Sequence, residues 1–246
     1  MYRFFVKEDQ IHDGSVWIVG EDVNHIKNVL RMKTGDRIFI SCENSLEYEC
    51  ELKELGEKQI EAEIFDVHGM ETELPAEIIL YQALPKGDKM EFIIQKAVEL
   101  GVSKIVPVRM KRCVVKLDEK KADKKVKRWN LIALSAAKQS KRGMIPKVSK
   151  VLEYTQVLKE AENLDLLLVP YEEERGIAYS RELIKKVPGK KSIGIMIGPE
   201  GGFEKTEIEA AKQVGGKTLT LGKRILRTET AGMTMLSILM FTLEEA

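Results

Sequence analysis

The run Ser192-Ile193-Gly194-Ile195-Met196-Ile197 passes directly into Gly198-Pro199-Glu200-Gly201-Gly202-Phe203, and residues 204–214 then follow helical spacing. A buried strand that delivers a glycine-rich turn to a helix start constrains the fold more than any other feature of the chain. In open α/β sheets, ligands sit at such strand-to-helix turns. Glycines there remove the Cβ atoms that would hold a ligand away from the backbone amides. Taken alone, the segment also reads as an ordinary tight turn. It is not a dinucleotide fingerprint, because G-x-G-x-x-G is absent, nor a P-loop, because no Gly-Lys-Ser/Thr follows. A nucleotide-phosphate binder is disfavoured on that ground.

A second element stands close behind it. Leu219-Thr220-Leu221 reads as a strand, Gly222-Lys223-Arg224-Ile225-Leu226-Arg227 as a loop, and Thr228-Glu229-Thr230-Ala231 as a helix start with Thr228 as N-cap. Met233, Leu236, Ile238, Leu239 and Met240 carry that helix into a core. Its N-terminus offers free amides and a partial positive charge. Arg227 and Glu229 also fit a surface ion pair worth under about 1 kcal/mol. In this order, the two elements predict a small-molecule cofactor pocket on an α/β domain.

The rest of the chain agrees with that class. Strands are predicted at 78–84, 104–108, 165–169 and 192–197, with helical segments between them, among them 88–100 and the basic helix 124–141. Trp129, Ile132 and Ala136 lie on the inner side of the latter. Buried strands alternating with helices mark a parallel sheet covered on both faces. Residues 1–74 differ: short strands at 3–6, 16–19, 37–42, 47–53 and 59–67, with one helix at 21–31. Apolar and acidic residues alternate in Tyr48-Glu49-Cys50-Glu51-Leu52, the period of a sheet with one wet face. This half predicts a small β-barrel, with the boundary at 70–76.

Charge is unevenly distributed. The 246 residues carry a net charge of +1, yet residues 43–74 hold 2 basic against 11 acidic side chains, and 109–142 hold 13 against 3. The second block suits a polyanion, although it also reads as a solvated lysine-rich helix face. No apolar run reaches the roughly 18–20 residues of a membrane span. The start, Met1-Tyr2-Arg3-Phe4-Phe5-Val6, reads as a strand rather than a signal peptide. Cys42, Cys50, Cys113, His12, His25 and His68 lack metal-ligand spacing, so no metal site is expected and a reducing, cytoplasmic setting is.

G-P-E-G-G-F followed by L-G-x-R-I-L-R-x-E-T-A resembles the RsmE family of 16S ribosomal RNA uridine-N3 methyltransferases, of the SPOUT class. Further blocks match in order: Phe4-Phe5-Val6, the run from His25 to Asp36, the run from Ile94 to Val102, and Gln139-Ser140-x-Arg142-x-x-x-Pro146. The resemblance spans essentially the whole chain. It implies an α/β fold: a small PUA-like RNA-binding β-barrel at 1–72, then a SPOUT-type methyltransferase domain at 73–246 closed by a C-terminal trefoil knot. It also implies S-adenosyl-L-methionine as cofactor, a homodimer, and as partner the 16S rRNA of the small ribosomal subunit, at the uridine U1498. By position, Gly198, Pro199, Glu200, Gly201 and Gly202 would line one side of the donor pocket. Leu221, Gly222, Ile225, Leu226 and Arg227 would line the other, with Leu168 close by.

N3 lies on the Watson–Crick edge of uracil, so the base must be unpaired or flipped before reaction. Its proton must leave, and negative charge then builds on O2 and O4. Arg112, Arg142, Arg224 and Arg227 are candidates to hold that charge, with Glu200 or Glu229 as bases. Arg3, His25, Arg31, Gln139 and Arg142 are candidates for RNA docking, with diffuse help from Lys111, Lys120, Lys121, Lys124, Lys125 and Arg128. Trp129 reads as helix packing rather than base stacking. Cys113 and Lys141 stand where the family pattern leads one to expect serine and glycine. Two rivals keep the fold: a ribose 2′-O-methyltransferase, and an RNA-binding assembly factor without catalysis, which the presence of Gly198, Gly201 and Arg227 disfavours.

Overall fold

The computed structural model describes residues 1–42, 46–174 and 176–244. The chain forms two compact units: Met1–Glu73 with Lys141–Met144, and Leu74–Ser140 with Ile145–Ala246.

The first unit is built on β1 (Tyr2–Phe5), β2 (Ile11–His12), β3 (Ser15–Val19), β4 (Arg37–Ser41), β5 (Leu46–Leu55) and β6 (Gln59–Gly69). They form one sheet in the order β1-β4-β5-β6-β3-β2. The β1–β4 pair is parallel and the others are antiparallel. Alternation sets the core: Ile38, Ile40, Cys50, Leu52, Ile60 and Ala62 point inward and are fully buried.

The helix expected over 21–31 is a single α-turn, α1 (Glu21–Asn24), that widens into a π-helical turn, His25–Val29. Leu30 N–H reaches the His25 carbonyl at 2.9 Å, and Arg31, at φ 54°, ends the segment. Val23 and Ile26 are buried in either winding. The apolar spacing therefore gave no sign of the wider turn.

Segment 141–144 is stitched into this unit. Arg142 is 3% exposed and ion-pairs with Glu73. The same carboxylate accepts the Gly143 and Met144 N–H groups at 2.9 and 3.3 Å. Lys141, where the family pattern has glycine, sits at φ 57°. That left-handed conformation favours glycine, so the position keeps its backbone while departing in side chain.

The second unit carries β7 (Glu77–Ala83), β8 (Lys104–Arg109), β9 (Lys147–Val148), β10 (Leu152–Glu153), β11 (Leu166–Pro170), β12 (Ser192–Ile197) and β13 (Lys217–Leu219). Every pair is parallel, in the order β10-β8-β7-β12-β11-β13, with β9 also on β8. The helices are α2 (Lys89–Glu99), α3 (Glu119–Gln139), α4 (Tyr154–Ala161), α5 (Ile177–Ile184), α6 (Lys205–Gln213) and α7 (Thr228–Glu244).

One sheet face, with Ile79, Tyr81, Ala83, Val106 and Met196, packs on Val157 and Ala161 of α4 and Ile208 and Ala211 of α6. The opposite face of β7 presents Gln82 to α7. Helix α3 starts earlier than the apolar spacing indicated, because the Asp118 side chain caps it by accepting the Lys121 N–H at 2.8 Å. As expected, Trp129 is packed inside, at 2% exposure.

Glu73 is the partly buried acceptor for the Arg142 side chain and for two backbone N–H groups, and its removal takes that acceptor from all three. Glu73→Ala is expected to destabilise the first unit by about 3 kcal/mol in urea unfolding. A loss of well under about 1 kcal/mol would contradict the role assigned to this pair.

Candidate functional site

The carboxyl ends of β7, β11, β12 and β13 converge in the second unit, the place where open parallel sheets bind ligands. A cavity of about 450 Å³ opens there. Its walls are the turn after β12 (Gly198, Pro199, Glu200, Gly202), the loop after β13 (Leu221 to Arg227), the end of β11 with Tyr171 and Glu172, and Lys89 at the start of α2.

A buried hydroxyl holds the two main walls together. Thr228 Oγ1 donates to the Gly198 carbonyl at 2.7 Å and accepts the Gln82 side-chain amide at 2.9 Å. Gln82 is fully buried and Thr228 is 6% exposed. Thr228 is thus the first residue of α7, and its side chain bridges strands rather than capping the helix.

The glycines are required by close approach. A Cβ on Gly198 would stand 3.0 Å from carbons of the Phe203 ring, which fills the space beneath the turn. Gly202 sits at φ 69°, and a Cβ there would collide with the Glu172 carboxylate.

Charge is arranged around the same walls. Lys89 Nζ lies 3.4 Å from Glu200 Oε1 and 3.2 Å from Glu229 Oε2. Glu200 also accepts the Lys86 N–H at 3.0 Å. Burial pushes the Glu200 carboxyl up, but the Lys86 and Glu200 N–H groups and the Lys89 ammonium outweigh it and hold the group below its ordinary range. Burial, then the Glu173 carboxylate beside it, pushes the Tyr171 phenol up to about 12, so it faces the cavity as a neutral hydroxyl. Arg224 and Arg227 are exposed, and neither side chain has a hydrogen bond or ion pair among the described residues.

Of the residues singled out in the sequence, Gly198, Pro199, Glu200, Gly202, Leu221, Gly222, Ile225, Leu226 and Arg227 line the cavity. Gly201 turns toward Arg112, whose Nη1 donates to its carbonyl at 3.0 Å. Leu168 is fully buried inside β11, and the cavity wall begins two residues later at Pro170. Glu229 stands beside the wall, tied to Lys89. Cys113 takes the turn bonds a serine would make, accepting the Met110 N–H at 3.4 Å and donating to the Val108 carbonyl at 3.8 Å.

In the first unit, Arg3 is committed to Glu47 at 2.5 Å and to the Lys141 carbonyl at 2.7 Å, and Arg142 to Glu73. His25 and Arg31 are exposed there, as is Gln139 at the end of α3 in the second unit.

Sequence reasoning missed Gln82, Lys89, Tyr171 and Glu172. The signal for them was position: Gln82 lies one residue from the carboxyl end of β7, Lys89 opens the helix after β7, and Tyr171 and Glu172 directly follow β11.

Fold and site together define an α/β protein with a small-molecule cavity at its strand termini, joined to a β-rich unit. The family pattern of an RNA methyltransferase domain matches residues 72–240, and that of an RNA methyltransferase PUA domain matches residues 18–65. The chain is 38% identical to ribosomal RNA small subunit methyltransferase E of Bacillus subtilis over 99% of its own length and 98% of that protein's. It is 39% identical to a hypothetical protein of known crystal structure, with 99% of each chain covered and a TM-score of 0.89. It is 33% identical to the Neisseria gonorrhoeae ribosomal RNA small subunit methyltransferase E crystallised with S-adenosyl methionine, covering 96% of this chain and 95% of that one at a TM-score of 0.79. The chain belongs to the RNA methyltransferase family.

A side chain at position 202 would meet an unfavourable φ of 69°, whereas the exposed Glu172 carboxylate can swing aside. Gly202→Ala should lower the unfolding free energy of the second unit by about 1–3 kcal/mol. Unchanged denaturant unfolding would contradict this turn geometry.

Proposed function

We propose that the chain transfers a methyl group from S-adenosyl-L-methionine to N3 of a uridine in the 16S rRNA of the small ribosomal subunit, the position U1498 by family resemblance. The observation that carries this reading is the cavity built from Gly198–Gly202 and Leu221–Arg227 in a chain of this family.

The residues present fit the donor. The cavity lies within the roughly 300–1,000 Å³ typical of small-molecule sites. Glycine-lined backbone and the apolar Leu226 and Ile225, the latter 87% exposed, suit the edge and face of adenine. Glu172 and Glu200 offer carboxylates to a cationic ligand. When bound, the donor supplies an electrophilic methyl on a sulfonium.

The chain's own residues do the rest. Arg227 and Arg224, with uncommitted guanidinium groups, hold the charge that develops on the uracil oxygens. Arg112 braces the Gly201 carbonyl. Glu200, held ionised by its donors, orients; Glu229, one of whose oxygens has no hydrogen bond among the described residues, accepts the N3 proton.

Gln139 and the lysine-rich face of α3 dock RNA in the second unit, and His25 and Arg31 form the docking surface of the first; such binding weakens steeply with salt. Arg3 and Arg142 serve that surface by fixing the backbone around Lys141 rather than as free cations.

The finer architecture belongs to the same proposal: residues 1–72 as a closed PUA-like barrel, and 73–246 as a SPOUT domain with its C-terminal loops threaded as a trefoil knot. We also propose a homodimer. It is supported by α7, which is apolar around its circumference and leaves Phe241 65% exposed. A cytoplasmic location is supported by the ribosomal substrate and by the free thiols of Cys42, Cys50 and Cys113.

The test incubates the protein with labelled methyl donor and unmodified small ribosomal subunits and maps the product. The expected result is methylation at N3 of a single uridine, with Arg227→Ala slowing transfer by about 100-fold. A mark on ribose, or on transfer RNA alone, would overturn the assignment.

A further inference from the structure

Lys89 stands at the centre of the charged side of the cavity. Its ammonium contacts Glu200 at 3.4 Å and Glu229 at 3.2 Å, and it is the only cation within ion-pair distance of either carboxylate among the described residues. Three separate elements meet through it: α2, the glycine turn after β12 and the first turn of α7. The turn that precedes α2 and the first residue of α2 both reach the same carboxylate, through the Lys86 N–H and the Lys89 side chain. Glu229 is 15% exposed and Glu200 25% exposed, so water screens the pair only in part.

We propose that Lys89 is a positioning residue of the methyl-transfer site, acting through Glu200 and Glu229. One ammonium fixes two like charges side by side at the cavity wall and joins the glycine turn to the start of α7. The inference rests on the methyl-transfer reading above and names how that site keeps Glu200 ionised and both carboxylates aimed.

Both carboxylate oxygens touch the same nitrogen, so they can be no farther apart than the two contacts end to end. Like charges that close raise each other's proton affinity unless a cation lies between them. The other charged groups on the cavity wall are Glu172, Lys223, Arg224 and Arg227, with Lys86 and Asp88 on the turn before α2 and Arg112 on the Gly201 carbonyl. None of these side chains is ion-paired with Glu200 or Glu229. Without Lys89, Glu200 would take up a proton more readily, and the turn and helix would lose their common anchor. Both effects lower the amount of correctly charged site on the acid side of neutrality.

The test compares the wild type with Lys89→Met and Lys89→Arg, using full-length protein carrying 13C at its glutamate carboxyls. Glu200→Gln and Glu229→Gln assign the two resonances. In ligand-free protein, Lys89→Met should move the Glu200 titration upward by about one pH unit, and Lys89→Arg should restore it. With unmodified subunits, the acid limb of kcat/KM should move to higher pH by a similar amount, while KM for the donor changes less than about threefold.

Unmoved carboxyl titrations in Lys89→Met would overturn the proposal. So would a loss of rate that is uniform across pH, the result expected of a simple loop brace. A shifted titration in a protein whose wild type methylates no ribosomal RNA would sustain the carboxylate clamp and remove the methyl-transfer reading.

Discussion

The hydroxyl of Thr228 is the interaction on which the site depends. It donates to the Gly198 carbonyl at the end of β12 and receives the Gln82 amide from β7. Three elements distant in sequence are thereby fixed at one buried point. A buried polar group left unpaired costs about 1–3 kcal/mol, so the loop after β13 cannot drift from the glycine turn without stranding at least one of these groups. The cavity is the space left between two loops held in this way. The Phe203 ring beneath Gly198 supports it from below.

Around that neutral lock the charges are sorted. Glu200 and Glu229 are tied to Lys89, and Arg112 to the Gly201 carbonyl. Arg224 and Arg227 remain uncommitted at the cavity, where a developing anion would meet them. The first unit follows a different rule. Its arginines at 3 and 142 are consumed by Glu47 and Glu73, so its exposed basic character comes from His25, Arg31 and their neighbours. Along 48–52 and 60–63 of β5 and β6, buried apolar residues alternate with Glu49, Glu51, Glu61 and Glu63 on the wetter face, as the period-2 pattern required; Glu47 is the exception, buried against Arg3.

Much of this was legible in the sequence because it rests on local chemistry. Strand 192–197, its glycine turn and the parallel sheet followed from apolar runs and from glycine itself. So did most of the cavity wall, because the wall is two contiguous segments. What escaped was set by non-local pairing. Gln82 reads as one more residue of a buried strand until Thr228, far along the chain, is placed over it. Lys89 reads as a helix surface lysine until two glutamates converge on it. Arg3 and Arg142 read as free cations because their carboxylate partners are remote in sequence. The π-helical turn at His25–Val29 escaped for another reason: apolar residues at 23 and 26 are buried equally by either winding.

We propose that the Thr228 bridge shapes a pocket for S-adenosyl-L-methionine. Calorimetric titration of the wild type and Thr228→Val with that compound tests it most directly, because valine keeps the volume and removes the hydroxyl. One donor site per chain is expected in the wild type, with binding weakened at least tenfold in the variant, about 1.4 kcal/mol, and cooperative unfolding retained. Equal affinity in the two proteins, or no binding by the wild type, would contradict it.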